Sequence, residues 1–102
     1  PRFLDLLSLA ARHEYPAALR LTADCYKYGL RGATLDKRRA LDLYERAARR
    51  GDPDAQYMAG MCHHLSPEFV SPGHPTARRW YAVAASQGHQ DARKKLSKLS
   101  RK

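Results

Sequence analysis

Four histidines and a cysteine crowd the second half of the chain: Cys62-His63-His64, His74 and His89. Imidazole and thiolate are the side chains that build zinc sites. The spacing argues against a metal. Adjacent histidines on a helix point about 100° apart, and no second cysteine pair or carboxylate cluster completes a four-coordinate set. His63 reads as a partly buried packing residue and His64 as one facing outward. Hydrolytic chemistry is no better supported, because the chain has neither Gly-x-Ser-x-Gly nor a glycine loop ending in Lys-Ser/Thr. Asp36, Asp52 and Asp54 stand where helices start and read as caps, and Asp42 and Glu45 as solvated charges among basic residues. No catalytic residue, metal or cofactor is expected.

What must position these side chains is a helical frame. In DKRRALDLYERAARRGDPDAQ, from Asp36 to Gln56, residues Ala40, Leu43, Tyr44, Ala47 and Ala48 recur at spacings of three and four, placing them on one helix face. Gly51 can adopt the left-handed conformation that ends a helix, and Asp52-Pro53-Asp54 suits the start of the next. The pattern returns downstream. Ala77, Trp80, Tyr81, Ala84-Ala85, Gly88 and Asp91-Ala92 repeat Ala40, Leu43, Tyr44, Ala47-Ala48, Gly51 and Asp54-Ala55 at a constant offset of 37 residues. Ala10-Ala11, Pro16 and Ala18 form a weaker upstream copy. Periods of this size mark repeat architectures. Strand alternation is absent, and periodicity predicts six helices over about 2–12, 16–28, 37–50, 54–64, 75–87 and 91–100. Alanines where helices cross allow close approach, with Tyr26, Tyr44, Trp80 and Tyr81 filling the spaces between.

Tyr26, Gly29, Gly32, Asp36, Ala40, Leu43-Tyr44, Ala47-Ala48, Gly51, Ala55 and Gly60 follow the pattern of the Sel-one-like repeat, a branch of the tetratricopeptide superfamily that this chain resembles. The resemblance implies an all-α, right-handed superhelical solenoid of antiparallel helix pairs serving as a binding scaffold, not an enzyme. It implies one domain over 1–102, with units at about 16–52 and 53–89 and flanking helices at 2–12 and 91–100. The second unit departs from the pattern. Its loop HLSPEFVSPGHP lacks the Gly-x-Gly-Val of the family, and Ala59 and His63 replace the usual Leu and Tyr.

Composition fits a folded chain with an acidic partner. The 102 residues carry a formal net charge of +9, and 43% are hydrophobic. No apolar run approaches the roughly 20 residues that span a bilayer, and FLDLLSLAA, broken by Asp5, is too short for a signal segment. Cys25 and Cys62 occupy equivalent places in successive units. Equivalent stacked helices lie about 8–10 Å apart, beyond the Cα separation below about 7 Å that a disulfide needs, so reduced thiols and a cytoplasmic location are expected.

Basic residues gather in Lys37-Arg38-Arg39, Arg46-Arg49-Arg50, Arg78-Arg79 and the tail from Arg93 to Lys102, whose Ala92, Leu96 and Leu99 form a stripe able to dock on the preceding helix. In tetratricopeptide-like arrays the first helix of each unit lines the concave side. On that resemblance the outward columns are Arg20, Tyr57 and Lys94; Asp24, Met61 and Lys98; and Lys27, His64 and Arg101. Such a groove is basic with an apolar centre at Tyr57 and Met61, suited to an acidic protein or peptide segment bound by a monomer. Nucleic acid is the alternative partner, because net charge alone supplies non-specific affinity. No base-reading motif supports it.

Overall fold

A computed structural model describes residues 3–100, with the backbone alone at Ser100. Arg2, Arg101 and Lys102, which the helix and charge readings include, lie outside the described residues. The fold is all-α: α1 (Phe3–Arg12), α2 (Pro16–Tyr28), α3 (Lys37–Arg49), α4 (Pro53–Leu65), α5 (Pro75–Ser86) and α6 (Gln90–Ser100), with no strand among the described residues. The chain divides after Asp52 into two compact units of three helices each.

Helix ends follow the local chemistry. Asp36 caps α3 by accepting the Arg39 backbone N–H at 3.1 Å. Gly51 and Gly88 have φ of +94° and +89°. At each, the glycine N–H donates three residues back and the next N–H donates five residues back, to Ala48 and Ala47 in one case and to Ala85 and Ala84 in the other. This double closure satisfies the last carbonyls of α3 and α5, and only a residue tolerating positive φ permits it. Asp54 is not a cap. It lies inside the first turn of α4, with its carboxylate 3.1 Å from His89 Nε2.

In the first unit α2 and α3 run antiparallel, since cross-links climb one helix as they descend the other: Asp36 N–H to Tyr26 O at 2.8 Å, Tyr44 hydroxyl to Asp24, Arg20 to Asp52. Leu19, Ala23, Ala40, Leu41, Tyr44 and Ala47 are almost wholly buried. Small residues let the axes approach while a few large ones fill the gaps. Cys25 is a buried free thiol there, its pKa raised by burial and by Asp24. α1 packs through Ala11 but exposes Phe3, Leu6 and Leu9, with the Arg31 guanidinium over the Phe3 ring at 4.4 Å.

The second unit repeats the scheme with different contacts. Ala77, Tyr81, Ala84 and Ala92 form its core, and Tyr57, Met61, Leu96 and Leu99 pack against them, so the apolar stripe of α6 docks as its spacing predicts. Gly60 of α4 lies directly on the Tyr81 ring: a Cβ there would stand 2.7 Å from ring carbons Cδ1 and Cε1. Cys62 is likewise buried and in no disulfide. Arg78 is not part of an open basic patch. Its guanidinium donates to Gly73 O at 2.8 Å and Leu99 O at 2.6 Å, tying the α4–α5 loop and the end of α6 to α5.

Candidate partner-binding surfaces

The eight predicted contact residues fall into two sets, one in each unit. Arg20, Asp24 and Lys27 share a face of α2 and are all half-buried. Arg20 Nε donates to Asp52 Oδ2 at 3.0 Å, Asp24 accepts the Tyr44 hydroxyl, and the Lys27 ammonium sits 5.1 Å from the centre of the Tyr28 ring. Two of the three therefore already serve the unit's own packing. In the second unit Tyr57, Met61 and His64 on α4 are half-buried, whereas Lys94 and Lys98 on α6 are exposed.

Tyr57 was expected to stand open; instead its ring stacks on His89 at 4.7 Å and leans on Tyr81 at 5.9 Å. Burial, and then Asp91, push its phenol up in pKa. Met61 covers the same core. His64 does not face outward. Its Nδ1 lies 3.1 Å from the Tyr81 hydroxyl, and its ring meets His74 edge-on at 4.9 Å. His63 packs as predicted, its ring edge toward Phe69.

The repeat explains what changed. Arg20 and Asp52 correspond, 37 residues on, to Tyr57 and His89, so an ion pair in one unit becomes an aromatic stack in the other. Tyr44 and Tyr81 also correspond, but Met61 stands where Asp24 stood. The buried Tyr81 hydroxyl turns instead to His64, one turn along. A buried hydroxyl left without a partner costs about 1–3 kcal/mol, which makes this substitute bond necessary. The offset comparison of Asp24 with Met61 was the available signal.

Protonation states follow from these contacts. His89 Nδ1 accepts the Ala92 backbone N–H at 3.1 Å, capping α6, so Nε2 carries the proton and donates to Asp54. Burial holds the Tyr81 phenol protonated well above its usual range, so it donates to His64 Nδ1. Burial first, then His74 and Lys95, lower the His64 pKa from its ordinary 6.5. The unfolded chain thus takes up this proton before the folded one does. The resulting stability is present above about pH 6.5 and declines as pH falls toward the folded-state value. Urea midpoints of the chain are expected to drop between about pH 7.5 and 5, and His64→Phe to shrink that drop. Superimposable pH profiles for the two proteins would refute the assignment.

Three arginines of the first unit line a further hollow. It has a volume of about 370 Å³ and is walled by α1, α2 and α3, with Arg12, Arg39 and Arg46 at its edge beside Ser8 and Tyr26. Charge runs alone had suggested only a basic surface here. Among the described residues no group of three or more His, Cys, Asp or Glu is arranged to hold a metal, and no helix is long and apolar enough to cross a membrane.

Comparison with known proteins gives the frame a family. The chain is 34% identical over 101 residues to chitin synthase regulatory factor 2 of Schizosaccharomyces pombe, a match covering 95% of this chain and 20% of that protein. It therefore spans about a fifth of the length of that curated relative. Among solved structures it resembles c5321, a protective antigen of uropathogenic Escherichia coli strains displaying an SLR fold, with TM-score 0.85 and 25% identity over 94% of this chain and 20% of that one. It also resembles a Sel1 repeat protein from Oxalobacter formigenes, with TM-score 0.79 and 34% identity over 90% of this chain and 68% of that one. The Sel1 repeat profile matches twice, at residues 16–52 and 53–89, each match ending at or beside a helix-closing glycine turn, and the chain belongs to the Sel1 repeat family.

Proposed function

We propose that this chain is a monomeric, cytoplasmic interaction module that holds an acidic, partly apolar segment of a partner protein on its basic side chains. Sel1-repeat proteins are interaction scaffolds and not typically enzymes. One observation carries the acidic preference: α6 keeps Lys94 and Lys98 in solvent while its opposite stripe, Leu96 and Leu99, packs on the core that Tyr57 and Met61 also cover. The second unit thus offers positive charge beside half-buried apolar edges. In the first unit Lys27 adds a half-buried ammonium beside the exposed Tyr28 ring, whereas Arg20, Asp24 and His64 are held in contacts within their own units. A relative that is itself a regulatory factor agrees with a chain acting through another protein.

The test is fluorescence anisotropy with a labelled deca-glutamate peptide and, separately, a labelled single-stranded oligonucleotide. Lys94→Glu/Lys98→Glu is expected to weaken peptide binding several-fold, mainly by slowing association, with the difference shrinking as salt rises. Oligonucleotide binding tighter than peptide binding, with a steep salt slope, would replace this reading with nucleic-acid recognition.

A further inference from the structure

We propose that the hollow between α1, α2 and α3 is a receptor for one carboxylate side chain of the bound segment, held by Arg39 and Arg12. This rests on the reading that the partner is acidic, and it adds a discrete anchor to what is otherwise diffuse charge.

The hollow is built for a planar anion. The Arg39 guanidinium carbon lies over the Tyr26 ring, 4.5 Å from its centre, and this contact restrains the head group. A guanidinium carries its N–H donors in a fork that matches a carboxylate with two parallel hydrogen bonds. Among the described residues neither Arg12 nor Arg39 has a side-chain ion pair. Arg46 differs: its guanidinium is already bound to Glu14, whose carboxylate that bond holds below the usual range, so Arg46 forms a wall and adds little free charge.

The other lining groups narrow the choice of anion. The Thr22 hydroxyl is committed to Ala18 O at 2.7 Å and has no donor to spare. Asp42 contributes a carboxylate at the edge, 3.7 Å from Arg38. Its negative charge offsets part of the positive charge of Arg12 and Arg39, leaving a site closer in charge to a single carboxylate than to a dianion. Ala11 and Leu43, both nearly buried, supply apolar contact for the methylenes of a glutamate. A hollow of about 370 Å³ has room for such a side chain and the backbone that carries it. The site is separate from the predicted α2 column, because Thr22 and Tyr26 lie about 200° around that helix from Arg20 and Asp24.

The proposal is tested with the labelled deca-glutamate peptide and the full chain. Arg12→Gln/Arg39→Gln is expected to weaken binding roughly tenfold or more, while Arg49→Gln/Arg79→Gln, which removes the same charge from exposed positions elsewhere, costs about twofold or less. Arg39→Lys keeps the charge but loses the fork, and is expected to fall between these. Far-UV circular dichroism should be unchanged in all three. Equal losses in the two double variants would overturn the pocket while leaving an acidic partner in place. No binding by the unmodified chain would remove the acidic-partner reading itself. Displacement of the peptide by inorganic phosphate beyond that caused by chloride at equal ionic strength would assign the hollow to phosphate groups and overturn the carboxylate assignment.

Discussion

Replacing Tyr44 by alanine is expected to cost about 3–5 kcal/mol of unfolding free energy, a large share of what a chain of this size has. The ring is 0% exposed, and its hydroxyl bonds to Asp24. Truncation removes both the apolar contact and the donor that satisfies a half-buried carboxylate. Tyr44→Phe separates the two effects. It keeps the ring, leaves Asp24 without its hydroxyl, and is expected to cost about 1–3 kcal/mol. Urea unfolding followed by circular dichroism measures both. A loss below about 1 kcal/mol for Tyr44→Ala would mean that α2 and α3 do not close over this ring.

In the second unit Gly60→Ala is expected to destabilise by about 3 kcal/mol, although alanine is the better helix former by about 1 kcal/mol. The reason is the contact with Tyr81. A Cβ would meet Cδ1 and Cε1 at 2.7 Å, and the ring is 0% exposed, so it cannot swing aside without moving its neighbours or breaking the bond to His64. The first unit supplies the comparison, because an alanine, Ala23, occupies the equivalent position there and is itself 0% exposed. Trimming the obstacle should reverse the sign. In a Tyr81→Leu background Gly60→Ala is expected to be neutral or stabilising, as a double-mutant cycle would register. If Gly60→Ala stabilises the unmodified chain, α4 does not approach α5 as closely as described.

Periodicity of apolar residues, the offset of 37, and glycines placed after the Ala47-Ala48 and Ala84-Ala85 pairs determined the six helices and the ends of α3 and α5. They also determined which faces are apolar, including the stripe of α6. Each of these is a property of a few neighbouring residues, governed by backbone geometry and burial, and so is written locally. The tertiary structure alone decided which polar side chains are spent internally. Arg20, Arg46 and Arg78 looked like surface charge but bind Asp52, Glu14 and backbone carbonyls, while His64 turns inward to replace the missing counterpart of Asp24. Long side chains choose among partners brought near by helix packing, and their spacing along one helix does not encode that choice. The arginine hollow has the same origin, because Arg12 and Arg39 meet around Tyr26 only when three helices pack together.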